Sequence, residues 1–203
     1  MAIYLIRHGE TDGNKDRVVQ VPQTPLNKSG MAQAARLALR LRGSNIRRIL
    51  SSDLTRAHMT AEPLEESLGV EIEPEPLLQE RNFGDLRGRP YASLGFDPMA
   101  EGYAPPGGES WDVFHERAAR AWQRVTEAAA IEGDLAIVTH GLVCHSFELH
   151  HLTRSPGTES TERWGNTSLT IIEEDAPWKI RLLNCTDHLD GDVIDDTALK
   201  SGF

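Results

Sequence analysis

The sequence predicts an α/β fold, a three-layer sandwich with a largely parallel central sheet flanked by helices. Short apolar runs alternate with stretches of helical periodicity, as strand–helix crossovers require. The runs at 3–6 and 135–138 are apolar throughout, the pattern of strands covered on both faces. The chain of 203 residues shows no internal repeat and no linker, which suits one domain over 1–203 with a full core.

Taken in order, residues 3–6 form a buried strand ending in the polar cluster Arg7-His8-Gly9-Glu10-Thr11. Residues 12–27 are polar, contain Pro22 and Pro25, and read as a loop. Ser29 serves as N-cap of a helix on which Met31, Ala34, Ala35, Ala38 and Leu41 recur at helical spacing, and Gly43 ends it. Residues 46–50 are a second strand, with Ser51-Ser52-Asp53 as turn and cap. A helix over 54–68 ends at Gly69, and Pro63 should kink or interrupt it. Residues 82–108 are irregular and rich in Gly and Pro; so long a loop in a compact domain reads as a functional lid. Trp111, Phe114, Ala118, Ala121, Trp122 and Val125 mark an amphipathic helix. The strand at 135–138 ends in Thr139-His140-Gly141, and a helix follows to about 152. Residues 168–172 and 180–183 are final, paired strands, and the acidic tail 189–203 is loosely held.

Composition narrows the function. Hydrophobic residues at 39% and charged residues at 26% exclude collagen-like and disordered classes. A net charge of −10 argues against wrapping nucleic acid or lying on an anionic membrane, and no apolar run is long enough to span one. It leaves room for a local basic site that binds a small anion. Two cysteines, Cys144 and Cys185, read as buried thiols of a cytoplasmic protein, a disulfide between them being the lesser alternative.

In open α/β sheets ligands bind beyond the carboxyl ends of the strands. Here two strands end in His-Gly, at Arg7-His8-Gly9 and His140-Gly141, and a third runs into Ser51-Ser52 shortly before Arg56. Taken singly, each histidine is a hydrogen-bonded structural residue and each arginine a solvated charge. Together at one sheet edge they suit phosphate. Guanidinium forks match phosphoryl oxygens, the helix opening at Gly141 and Leu142 adds backbone N–H donors, and a neutral imidazole can attack phosphorus.

These motifs carry a resemblance. Leu5-Ile6-Arg7-His8-Gly9-Glu10-Thr11 with Asn14 is similar to the signature of the histidine phosphatase superfamily, phosphoglycerate mutase-like branch. Ser51-Ser52-Asp53-Leu54-Thr55-Arg56-Ala57 with Thr60-Ala61, Leu78-Gln79-Glu80-Arg81-Asn82-Phe83-Gly84, Gly107-Gly108-Glu109-Ser110 and Val138-Thr139-His140-Gly141 resemble its later motifs in order, and Asn166 and His188 fall where the family has Asn and a late His-Leu. The resemblance implies that His8 is the nucleophile, that Arg7, Arg56 and His140 clamp the phosphoryl oxygens, and that Glu80 is the general acid and then base. It implies phosphate or substrate contacts for Asn14, Gln20, Arg81, Gly141 and Leu142. Around Gln20 the chain departs from the family pattern: Val21-Pro22 follow where a Gly is common. Arg81 has an alternative reading as a surface ion pair, with Asp85 for example. Glu10 supports its loop.

The remaining histidines, His58, His115, His145, His150, His151 and His188, read as packing or surface residues. His140 and Cys144 stand at i, i+4, but no HExxH is present and Glu148 is the only nearby carboxylate, so no metal and no cofactor are expected. The lid offers Phe83, Tyr91, Phe96 and Tyr103 as apolar surface and Arg87 and Arg89 as anion contacts, which favours a small phosphorylated metabolite with an organic body over a densely charged bisphosphate. Between Glu80 and Glu109 the only basic residues are Arg81, Arg87 and Arg89. The resemblance to mutases therefore lacks their longer basic segment, and the expectation is a phosphatase, with a mutase or a non-catalytic phospholigand-binding protein as rivals. Trp111, Trp122, Trp164 and Trp178 leave a homo-oligomer open.

Overall fold

The computed structural model describes residues 1–131, 133–154, 160–161, 163–173 and 177–190. Of the acidic tail, residues 191–203 lie outside the described residues.

Six strands form one sheet: β1 (Ala2–Arg7), β2 (Ile46–Ser51), β3 (Ile72–Pro74), β4 (Asp134–Thr139), β5 (Leu169–Glu173) and β6 (Ile180–Cys185), in the order β3-β2-β4-β1-β5-β6. The first four in that order run parallel, and β5 and β6 add an antiparallel edge. The helices are α1 (Asp12–Lys15), α2 (Lys28–Leu41), α3 (Thr55–Leu68), α4 (Trp111–Ala129) and α5 (Gly141–His150).

The pleat of each strand sends alternate side chains to opposite faces, and both faces are covered. Ile3, Leu5, Leu135 and Ile137 pack beneath Phe114, Ala118 and Val125 of α4 and Val143 and Phe147 of α5. Ile6, Ala136 and Val138 pack beneath Leu37 and Leu41 of α2 and Ala57, Ala61 and Leu64 of α3. That double coverage is why β1 and β4 read as unbroken apolar runs. Trp122 and Trp164 are buried, and Trp111 and Trp178 pack against the same core, so the tryptophans stabilise this chain's own interior.

Three local expectations are corrected. Helix α2 is capped by Asn27, not Ser29: Asn27 Oδ1 accepts from Gly30 N at 2.8 Å while its Nδ2 donates to Glu10 Oε1 at 2.9 Å, so the cap also ties down the first loop. Helix α3 runs unbroken through Pro63; the carbonyl deprived of its partner is that of Met59, and both residues lie on a partly exposed face where water can serve it. The first loop contains the short helix α1, closed by a reciprocal cap between Thr11 and Asn14.

The segment 82–108 folds over the carboxyl edge of the sheet with a small core of its own, in which Val19, Phe83, Leu86 and Leu94 are buried. Phe96 stays exposed against Tyr103.

Candidate active site

Sheet register builds the site. Strands β1 and β4 are paired so that Arg7 lies opposite Thr139, and the next residues, His8 and His140, leave adjacent strands side by side with ring centroids 5.1 Å apart. His8 N donates to Thr139 O at 2.9 Å, which fixes this exit. On the other flank of β4, Ser51 lies opposite Val138, so Ser52 arrives beside His140. Gly9 and Gly30 let the first loop and helix α2 touch: a Cβ on Gly30 would stand 2.1 Å from Glu10 O.

The histidine tautomers follow from their partners. His8 Nδ1 lies 2.7 Å from Gly9 O, and a carbonyl only accepts, so Nδ1 carries the proton and Nε2 keeps a lone pair. Burial holds the His8 pKa well below the usual imidazole value, helped by the charges of Arg56 and Arg7. His140 Nε2 lies 2.8 Å from Ser52 Oγ. That hydroxyl accepts from Leu54 N at 3.3 Å and has its own proton to give; in the tautomer where it donates to Nε2, the His140 proton sits on Nδ1. Burial again, then Arg56, His8 and Arg7, keeps His140 neutral.

Around the two rings stand buried donors with no protein acceptor: Arg7 Nε, Arg56 Nε and His140 Nδ1. Unpaired buried donors are costly, and two of these are cationic. Arg7 donates through Nη1 to Trp164 O, and Arg56 through Nη1 to Val21 O at 3.3 Å, which aims both forks. Burial pushes Arg56 down to about 10, partly offset by Glu80. Glu80 accepts from Arg81 N at 3.0 Å on Oε1 and from Leu142 N at 3.2 Å on Oε2. Burial raises its pKa above the ordinary carboxylate value; those two N–H groups and then Arg56 and Arg7 pull against the rise. His8, Arg7, Arg56 and Glu80 line one cavity of about 440 Å³.

The other expected contacts fall in different places. Asn14 and Gln20 line the same cavity. Asn14 Oδ1 accepts from Thr11 N at 3.2 Å and from Asn166 Nδ2 at 3.3 Å, which leaves its amide N–H₂ as the free group. Gln20 Oε1 accepts from Thr11 Oγ1 at 2.9 Å. Arg81 also lines this cavity and is buried, so it is no surface ion pair; its guanidinium donates to the carbonyls of Glu109 (3.1 Å), Pro98 (3.4 Å) and Tyr103 (2.6 Å) and stacks 3.9 Å over Trp111, so it pins the lid. The Leu142 N–H is spent on Glu80, and Gly141 sits where a Cβ would meet Arg7 Nε at 3.6 Å.

Other residues complete the site; of these, Asn166 and His188 are family positions named in the sequence, while Arg117, Arg17 and Arg163 are not. Arg117 donates to Glu109 Oε1 at 2.7 Å and Oε2 at 2.8 Å and to the carbonyls of Leu77 and Gln79, each at 2.8 Å, clamping the loop that carries Glu80. Asn166 donates to His8 O at 3.1 Å, and His188, expected only to pack, lies 3.1 Å from Thr167 Oγ1 and 3.2 Å from Arg40 Nη1. Arg17 and Arg163 also line the cavity. The clamp had a sequence signal, the Gly-Glu-Ser before α4; the cavity arginines had none, since only folding brings them to the site. Among the described residues, no three His, Cys, Asp or Glu side chains converge as metal ligands do, and no helix is long and apolar enough to cross a membrane.

Comparison with known proteins agrees with this geometry. The chain is 33% identical to the Arabidopsis thaliana phosphoglycerate mutase-like protein 4, over 99% of this chain and 90% of that one. Its fold superposes on Bacillus stearothermophilus YhfR with a TM-score of 0.80 at 29% identity, covering 93% and 99% of the two chains. It superposes on a mycobacterial glucosyl-3-phosphoglycerate phosphatase solved with VO3 with a TM-score of 0.76 at 25% identity, covering 91% and 99%. The model of the histidine phosphatase superfamily (branch 1) matches residues 3–186. With the two strand-end histidines, their arginines and Glu80 gathered at one edge of a six-stranded sheet, this chain belongs to the histidine phosphatase superfamily.

Proposed function

We propose that this protein is a cytoplasmic phosphatase that hydrolyses a small phosphomonoester through a phosphohistidine on His8, without a metal. One observation carries the reading: a neutral His8 whose Nδ1–H is held by Gly9 O presents the Nε2 lone pair among buried arginine and histidine donors that lack acceptors. In the first step Nε2 attacks phosphorus, the P–O bond to the leaving group breaks, and Glu80 gives that oxygen its proton. Arg7, Arg56 and His140 Nδ1 hold the three remaining phosphoryl oxygens, whose charge is spread in the transition state. In the second step the Glu80 carboxylate takes a proton from water, the oxygen attacks phosphorus, and the P–N bond breaks to release phosphate and neutral His8.

The test is turnover of p-nitrophenyl phosphate in EDTA, inhibition by vanadate, and loss of turnover in His8→Ala. Full activity of His8→Ala would sink the mechanism. The mutase-like name of the Arabidopsis relative favours a second reading, phosphoryl transfer between hydroxyls of phosphoglycerate. Interconversion of 3- and 2-phosphoglycerate faster than phosphate release is the result that selects it.

A further inference from the structure

The mechanism leaves one chain of hydrogen bonds unused. It starts on helix α2, where Arg40 Nη1 donates to Cys185 Sγ at 3.2 Å and to His188 Nδ1 at 3.2 Å. An arginine only donates, so Nδ1 of a neutral His188 ring accepts and Nε2 carries the proton. Burial, then the charge of Arg40, holds the His188 pKa down to about 4, so the ring is neutral near neutral pH. Nε2 therefore donates to Thr167 Oγ1 at 3.1 Å, and that hydroxyl gives its own proton to Asn166 O at 2.8 Å. The chain ends at the nucleophile. Asn166 Nδ2 donates to His8 O at 3.1 Å, and Thr167 N donates to the same carbonyl at 3.3 Å. Among the described residues these two are the donors to His8 O. At the other end, Arg36 Nη1 donates to Leu189 O at 2.8 Å, which ties the turn at Asp187–Leu189 to α2.

Thr167 is the strained link. It is wholly buried and holds a left-handed backbone at φ 52, a conformation that a β-branched residue keeps only when its surroundings impose it. The turn it makes serves two contacts at once. Asn166 and Thr167 meet the His8 carbonyl, while Ser168 O, just before β5, accepts from Arg7 N at 3.3 Å. Resting on the phosphatase reading with His8 as nucleophile, we infer that His188 is a positioning residue for the reaction: its bond to Thr167 Oγ1 holds the strained turn that fixes the His8 main chain, and so sets the seat of the attacking ring. Arg40, His188 and Thr167 stand outside the residues that line the cavity, so they act through this chain and not on the substrate. The ring inherits the position of its backbone, because His8 Nδ1 is tied to the next carbonyl, Gly9 O, at 2.7 Å. Asn14 is held independently: Thr11 N donates to Asn14 Oδ1 at 3.2 Å whether or not Asn166 is in place. Loss of the chain therefore displaces the nucleophile and spares the phosphate donors.

The experiment starts from His188→Leu, which removes both bonds of the ring and keeps much of its bulk. Expected is an about tenfold lower kcat/KM for p-nitrophenyl phosphate, with the inhibition constant of inorganic phosphate changed less than about twofold, since misplacing a reacting group acts on the chemical step. His188→Gln should keep most of the activity, its amide oxygen taking the Arg40 bond and its amide N–H₂ the Thr167 bond. Thr167→Val should lose as much as His188→Leu, and the double variant no more than either, because both break one link. A purely structural His188 would lower the thermal midpoint and leave kcat/KM of the folded protein intact well below that midpoint. If His188→Leu does not fold, Thr167→Val against Thr167→Ser reads the same link. If the unaltered protein turns over no phosphate ester, the phosphatase reading fails by itself; the nitrogen NMR shifts of the His8 imidazole still test the positioning, and should move in His188→Leu and hold in His188→Gln. Unchanged kcat/KM in folded His188→Leu, losses that multiply in the double variant, or unmoved His8 shifts overturn the inference.

Discussion

Replacing Glu80 by Gln removes a proton from the site while keeping its shape. In the intact protein both carboxyl oxygens accept backbone N–H groups, from Arg81 at 3.0 Å and Leu142 at 3.2 Å. The amide keeps one acceptor, so one bond is lost at about 1 kcal/mol of stability. The kinetic effect is larger and depends on the leaving group. General acid catalysis contributes roughly 10²–10⁴, or about 2.7–5.5 kcal/mol, to expulsion of a poor leaving group. An alkyl phosphate should therefore lose that factor in kcat/KM. p-Nitrophenolate leaves as a stable anion and should lose far less. Hydrolysis of the phosphoenzyme needs Glu80 as base whatever the first leaving group, so kcat should fall for both. Rapid mixing with p-nitrophenyl phosphate should then give a burst of one equivalent of p-nitrophenol followed by slow turnover. The KM should not rise, because the neutral amide leaves Arg7 and Arg56 uncompensated toward the phosphate. Equal losses of kcat/KM on alkyl and p-nitrophenyl esters would refute the assignment of Glu80 as the acid.

Arg117→Gln should cost about 3–5 kcal/mol in urea unfolding, because the Glu109 carboxylate, only 15% exposed, is left without its bidentate partner; kcat should fall as the Glu80 loop loosens. Gly30→Ala should unfold the protein or abolish activity, since its Cβ would meet the Glu10 carbonyl at 2.1 Å, and thermal unfolding with a phosphatase assay separates the two. Acid should destabilise the fold. His8 and His140 have folded pKa values well below the unfolded 6.5 and His188 one of about 4, so the unfolded chain takes protons first; their contribution is present above about pH 6.5 and lost as pH falls toward 4. Glu80, raised above 4.5, works in the opposite sense as pH rises. Thermal midpoints between pH 4 and 8 check the net slope, and a midpoint constant from pH 7 down to 5 would contradict the neutral buried imidazoles.

What could be read in the sequence was what sits in line with a strong local pattern. His8 and His140 follow unbroken apolar runs, and a doubly covered parallel strand writes such a run whatever else surrounds it. Their closeness then follows from parallel register. Arg56 was found because it opens a helix just beyond a third strand. β3 leaves no signal in the sequence: three residues, Ile72, Glu73 and Pro74, are too few to show a period, and their strand state is imposed by pairing with β2. The roles of Arg81 and Arg117 were hidden for a different reason. A buried arginine and a solvated one look alike in one dimension, and only the carbonyls of Tyr103, Leu77 and Gln79 around them decide which it is.

The mechanism stands most directly on the covalent intermediate. Glu80→Gln mixed with p-nitrophenyl phosphate and quenched in alkali should carry one phosphate per chain, stable to base, labile to acid, and located by peptide mass spectrometry on His8. A phosphate found on another residue, or a burst of p-nitrophenol with none retained on the protein, would contradict it.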